Sequence, residues 1–270
     1  MADDAPLKTR LYVEDELAPG RTLGLDAQRA HYLRHVLRME KGDAVALFNG
    51  RDGEHEAAID GFGKGWCSLT VGRRTRPQTA AGDIWLLFAP IKRQRIDWLV
   101  EKASELGAST LWPVFTRHTD VNRVNLDRLR LVAIEAAEQS ERLTVPELRE
   151  PLDLPRVLGG WPAERRLFLC AESGEARPIA EAVAEAKGQP AAILIGPEGG
   201  FAKTELDDLK KLPFVVPVGL GPRILRADTA ALAALACWQS LAGDWSAAGA
   251  DTRPPFRSAT PAGHPHNGES

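Results

Sequence analysis

Apolar positions along this chain recur with two periods, and the change from one to the other divides it. In the first part they form short strand-like runs, at residues 10–13, 44–48, 55–59 and 67–71. Asn49-Gly50 and Asp52-Gly53 are turn signals, which predict a hairpin loop over 49–53 rather than a two-residue turn. Among these runs, residues 26–39 read as a helix. A wheel puts Ala30, Leu33, Val36 and Leu37 on one side and His31, Arg34, His35 and Arg38 on the other.

From residue 84 onward, continuous apolar runs at 84–88, 109–115, 166–170, 191–194 and 214–218 alternate with helical periodicity. The helix predicted over 93–106 buries Ile96, Leu99, Val100 and Ala103, turns Trp98, Glu101, Lys102 and Glu105 outward, and stops at Gly107. A helix over 126–143 puts Leu129, Ala133, Ala136, Ala137 and Ser140 inward, with Glu135, Gln139 and Arg142 along another face. The Pro-rich stretch 146–162 reads as a loop, and further helices are predicted over 179–187 and 228–241. The last of these carries Ala230, Ala231, Ala233, Ala234 and Ala236, small enough for another backbone to approach closely. Strand, helix, strand in succession predicts an α/β domain with a parallel sheet and right-handed crossovers. The expected division is a β-rich unit over 1–75, a linker over 76–82, an α/β domain over 83–246 and a disordered tail over 247–270.

Composition narrows the class. Of 270 residues 44% are hydrophobic, enough for a real core, and no run of eighteen apolar residues suggests a membrane span. Cys67, Cys170 and Cys237 are far apart and odd in number, so they suggest neither a disulfide framework nor a metal site, and fit a reducing cytoplasm. The net charge of −3 does not advertise nucleic acid. Local clusters modify that. His31, Arg34, His35 and Arg38, with Arg10, Arg73, Arg74 and Arg76, read either as a solvated basic face or as a surface for phosphates.

The candidate chemistry lies in two glycine loops, each between an apolar run and a helix: Ile195-Gly196-Pro197-Glu198-Gly199-Gly200, and Gly219-Leu220-Gly221-Pro222-Arg223-Ile224-Leu225-Arg226. One such loop would be an ordinary tight turn. Two in tandem, at the carboxyl ends of parallel strands where α/β sheets hold ligands, predict a binding site of exposed backbone N–H and C=O groups. Neither the phosphate loop nor the Gly-x-Gly-x-x-Gly fingerprint is present, which favours a nucleoside-type ligand without a pyrophosphate. His118, at a strand end without a visible partner, is a weak candidate for a base.

These loops, with Thr229-Ala230, resemble the bacterial small-subunit ribosomal RNA uridine-N3 methyltransferases of the knotted SPOUT class. Similar too are Lys92, Asp97-Trp98-Leu99-Val100-Glu101-Lys102-Ala103-Ser104-Glu105-Leu106-Gly107, Glu135-Ala136-Ala137-Glu138-Gln139-Ser140 with Arg142, and His31-Tyr32-Leu33-Arg34-His35-Val36-Leu37-Arg38. The resemblance implies a PUA-like β-barrel that binds RNA and a methyltransferase domain with a deep trefoil knot. It also implies a homodimer with sites at its interface, S-adenosylmethionine as cofactor, and N3 of a uridine in 16S ribosomal RNA as target. Carried over residue by residue, the cofactor would meet Ile195, Gly196, Pro197, Gly199, Gly200, Leu220, Gly221, Ile224, Leu225, Thr229 and Ala230. Arg10, His31, Arg34, Arg38, Lys92 and Arg142 would meet RNA, and no metal is implied. Uridine becomes anionic when its N3 proton leaves, so a nearby cation is needed, and Arg226 is the candidate. Glu198 would orient the ligand or accept a proton. Another RNA target within the same class, or a non-catalytic RNA-binding module for ribosome assembly, are the competing expectations.

Overall fold

The computed structural model describes residues 7–79, 82–171 and 176–245. The expected tail over 247–270 lies outside them.

The N-terminal unit comprises β1 (Arg10–Tyr12), β2 (Thr22–Leu25), α1 (Ala27–His31), β3 (Ala44–Phe48), β4 (Glu54–Gly63) and β5 (Trp66–Arg76), in one sheet of order β1-β3-β4-β5-β2. Leu11, Leu23, Leu25, Val45, Leu47, Ile59, Leu69 and Val71 fill its core. The loop over 49–53 joins β3 to β4 as expected, since Phe48 pairs with Glu54. β5 continues to Arg76, the first residue of the expected linker.

The single helix expected over 26–39 is not formed. Asp26 caps α1 by accepting from the Arg29 N–H at 2.9 Å. The chain then widens into a π-helical turn, Tyr32–Val36, where the Leu37 N–H reaches back to the Tyr32 carbonyl. The extra residue in that turn breaks the wheel's phase: Leu33 is fully buried, but Val36, expected beside it, is 59% exposed. Strand β2 had no distinct signal, because Thr22-Leu23-Gly24-Leu25 sets glycine among its apolar positions.

The second unit comprises β6 (Ile84–Phe88), α2 (Arg93–Glu105), β7 (Thr110–Phe115), α3 (Leu126–Gln139), β8 (Glu147–Leu148), β9 (Leu152–Asp153), α4 (Leu154–Gly159), β10 (Arg166–Cys170), β11 (Arg177–Pro178), α5 (Ile179–Ala184), β12 (Ala191–Ile195), α6 (Lys203–Leu209), β13 (Val215–Gly219) and α7 (Ala227–Leu241). Its sheet is parallel, of order β11-β13-β10-β12-β6-β7-β8, with β9 pairing further along β7. Ile84, Leu86 and Phe88 face one layer with α2, α3, α5 and α7. Trp85 and Leu87 face the other, with Leu154 and Val157 of α4 and Leu209 of α6. Burial on both faces explains the unbroken apolar runs.

Two expectations fail here. The stretch 146–162 is more than a loop: it contains β8, β9 and α4 and buries Leu154, Val157 and Trp161. Two-residue strands are too short to show a period. Pro155 sits in the first turn of α4, where proline is tolerated. Helix α3 ends at Gln139 rather than at 143, with Glu141 at a φ of 59°. Ser140 is therefore exposed rather than inward, and Ile134 joins the core.

That early end also corrects two RNA-binding assignments. Arg10 is 4% exposed. Its Nε donates to Glu54 at 2.7 Å, and its guanidinium donates to the carbonyls of Ala137 (3.0 Å), Glu138 (3.1 Å) and Arg142 (2.8 Å). It donates to carbonyls at and just beyond the end of α3 and so joins the two units. Arg142 donates inward to the carbonyls of Ser104 and Ala108, and burial lowers its pKa to about 10. Each guanidinium is already spent on backbone oxygens, so neither is presented to phosphate.

Candidate active site

The two glycine loops form walls of one cavity of about 900 Å³ at the carboxyl ends of the strands, within the range of about 300–1,000 Å³ usual for small-molecule sites. They leave from β12 and β13, which are not neighbours: β10 runs between them. The cavity therefore lies above the end of β10, and Cys170 and Ala171 also line it. Burial, with a smaller contribution from Cys237, pushes the Cys170 thiol up to about 12, so it stays neutral and forms an apolar wall.

Local sequence explains the shape of the loops. Gly200 (φ 69°) and Gly221 (φ 97°) occupy backbone conformations that side chains disfavour. Gly196 is needed for space, because a Cβ there would lie 2.6 Å from the Phe201 ring. Glu205 holds the first loop from behind, accepting from the backbone N–H groups of Ala202 (3.0 Å) and Arg117 (2.8 Å). This is the return half of a capping box; Ala202 has no acceptor to complete it. His118 pairs through Nδ1 with the Gly200 carbonyl at 3.2 Å, so that nitrogen is the donor.

The cavity brings together most of the expected residues: Ile195, Gly196, Pro197, Glu198, Gly200, Leu220, Gly221, Ile224, Leu225, Arg226, Ala230 and Lys92. Gly199 and Thr229 lie just outside it. Gly199 faces the His118 Cβ, and the Thr229 N–H is held by Asp228. His31, Arg34 and Arg38 belong to the N-terminal unit, away from the cavity. There the His31 and His35 rings lie 4.7 Å apart, and Arg34 sits over Phe62.

Sequence reasoning missed Arg95, Phe201, Arg223 and Asp228. Arg95 donates to Asp228 through Nε at 2.9 Å and is also paired with Glu198. Its partners lie more than a hundred positions away, so no local pattern could reveal them. Among the described residues Lys92, Arg223 and Arg226 have no carboxylate partner. Three uncompensated cations thus rim a cavity walled largely by backbone and apolar side chains. No group of side chains suited to holding a metal occurs among the described residues, and no helix there is long and apolar enough to cross a membrane.

Comparison with known proteins agrees with this picture. An RNA methyltransferase domain model matches residues 78–239, and an RNA methyltransferase PUA domain model matches residues 25–65. Ribosomal RNA small subunit methyltransferase E of Rickettsia conorii is 33% identical over 84% of this chain and 93% of its own. The Synechocystis protein of that name is 31% identical over 84% and 76%. A crystal structure of the Neisseria gonorrhoeae methyltransferase E bound to S-adenosyl methionine superposes with a TM-score of 0.80 at 27% identity, covering 88% of this chain and 99% of that one. The match of the RNA methyltransferase domain model over most of the second unit, that of the PUA domain model in the first, and the 33% identity to the Rickettsia protein place the chain in the ribosomal RNA small subunit methyltransferase E family of RNA methyltransferases.

Proposed function

We propose that this protein transfers a methyl group from S-adenosylmethionine to N3 of a uridine in 16S ribosomal RNA. The observation that carries the reading is the cavity: two backbone-edged loops face one another across the end of β10, and Lys92, Arg223 and Arg226 rim it without carboxylate partners. A nucleoside fits such walls, since bare N–H and C=O groups match the edge of a base and ribose while Ile224 and Leu225 offer apolar contact. When bound, the donor supplies a methyl group on a sulfonium, already a strong leaving group. The protein is left to align the reactants, worth up to about 7–11 kcal/mol of barrier, and to stabilise the pyrimidine left anionic when its N3 proton passes to solvent water. Arg226, at the start of α7, is placed to do the second electrostatically. Glu198 is paired with Arg95, which favours an orienting role for it over proton acceptance.

The PUA-like unit presents His31, Arg34 and Arg38 toward RNA in this reading. The threaded knot and the homodimer expected from the resemblance belong to it as well. Ile224, 83% exposed at the rim, is an apolar side chain that ligand or a second subunit would cover.

Mass analysis of ribosomal RNA from a strain lacking the gene tests the target. One 16S uridine should lose a methyl group and regain it when the gene is restored. Arg226→Ala should lower the methylation rate at saturating donor by about 100-fold, the scale of removing one group that stabilises developing charge. An unchanged rate would remove that role.

A further inference from the structure

The two loops that wall the cavity share no ladder. Their strands are separated by β10, so their roots stand two strand spacings apart, about 9.6 Å. Among the described residues no hydrogen bond or ion pair joins the two loops directly. One side chain spans the gap. Arg95, in the first turn of α2, donates to Asp228 Oδ2 through Nε at 2.9 Å and lies 2.7 Å from the same oxygen through the Nη2 nitrogen. Its remaining nitrogen, Nη1, donates to Glu198 of the first loop. Asp228 is 8% exposed, stands in the first turn of α7 immediately after the second loop, and through its other oxygen accepts the Thr229 N–H at 2.8 Å. The guanidinium thus meets the first loop and the helix turn into which the second loop runs, at opposite ends of its rigid fork.

We propose that Arg95 is a positioning residue: a strut between Glu198 and Asp228 that fixes the separation of the two glycine loops and so the width of the cavity. Two features support a geometric role over charge alone. Glu198 and Asp228 both pair with Arg95, which leaves Lys92, Arg223 and Arg226 as the cavity-lining cations without a carboxylate partner among the described residues. The fork uses all three of its nitrogens, a geometry a lysine cannot reproduce. The strut belongs to the proposed donor cavity, and the inference rests on that reading for its ligand, although the strut itself is a property of the free protein.

The test uses Arg95→Ala, Arg95→Lys, Glu198→Ala and the double variant Arg95→Ala/Glu198→Ala of the full chain. In hydrogen exchange without ligand, segments 196–200 and 220–226 should exchange at least about 10-fold faster in Arg95→Ala, while the β4–β5 hairpin keeps its protection and so reports an intact fold. By calorimetry, S-adenosylmethionine should bind Arg95→Ala about 10-fold more weakly. Arg95→Lys should recover only part of that loss, and the loop exchange of the double variant without ligand should be no faster than that of Arg95→Ala alone, since both changes cut one strut. At saturating donor the methylation rate should fall less than the donor affinity, a KM effect over a kcat effect. Unchanged loop exchange in Arg95→Ala overturns the strut, as does full recovery by lysine or simple additivity in the double variant. If the unaltered protein fails to bind the donor, the proposed function falls instead, and the exchange measurement still decides the strut.

Discussion

At Gly196 the case for glycine is steric. Its φ is not in the left-handed region, yet a methyl group there would press to 2.6 Å from the Phe201 ring, which is itself packed against the core under α6. Gly196→Ala should cost about 1–3 kcal/mol, the usual penalty of overpacking, read as a lowered melting temperature. It should also weaken donor binding, because the ring can yield only toward the cavity or the core. Gly200, at φ 69° with open space around its Cβ direction, marks a different need, purely of backbone conformation. The sequence showed both as members of a glycine loop and could not separate the two reasons. Arg10 shows the same limit from the other side. As a basic residue near a basic helix it looked available to phosphate, because nothing local reveals that the end of α3, some 130 positions later, consumes its donors.

Elements buried on both faces were legible almost to the residue. β6, β10 and β12 stand within one position of their expected limits because continuous apolar runs have few other readings. The two strand–glycine–helix units were legible for the same reason, and with them the place of the cavity they wall. What escaped was set by geometry with no sequence period: the π-helical turn after α1, and the two-residue strands before α4. Helix α6 is an intermediate case. Its start at Lys203 was visible, but its N-terminus is held by one carboxylate, Glu205, shared with the Arg117 N–H of the neighbouring loop. Glu205→Ala removes the cap and the tie together and should destabilise the protein by about 1–2 kcal/mol, at the upper end for a lost cap, measured by urea denaturation. Glu205→Gln should fall between, since its amide can accept from one of the two N–H groups and not both.

For the molecule as a whole, the joint between the units is built from buried polar groups. Glu54 accepts from Arg10 and from the Thr75 hydroxyl at 3.0 Å, and the Arg76 guanidinium donates to the Glu141 carbonyl at 2.9 Å. Arg10→Ala would take from Glu54 its buried ion-pair partner and from the Glu138 and Arg142 carbonyls their guanidinium donor, so a loss of about 3–5 kcal/mol is expected, as for a broken buried pair, with separate unfolding of the two units by calorimetry. Glu138 gives the joint a pH dependence. Its carboxylate accepts the Tyr12 N–H at 2.9 Å, but burial raises its pKa above the ordinary value. The folded state then holds the proton more tightly than the unfolded chain. This contribution is present at low pH and is lost as pH rises from the usual carboxylate range through the folded pKa. Glu138→Gln keeps an acceptor for Tyr12 and removes the titration, so the stability difference between variant and parent should move in the variant's favour as pH rises from 4 to 7. A difference independent of pH would contradict this assignment.

Helix α7 bears on how the molecule comes into being. Near its end Gln239 donates to the Leu106 carbonyl at 2.7 Å, closing the terminus of α2, and near its start Asp228 receives Arg95 of that same helix. The first helix of the catalytic unit is thus finished at both ends by the last. A ribosome that has translated as far as the second glycine loop has produced a sheet without its clamp, and the cavity between the loops lacks the wall that Ala227 and Ala230 give it until α7 has left the exit tunnel. This enzyme should become competent only after most of its chain has been waiting, half-assembled, for the fifteen residues of α7.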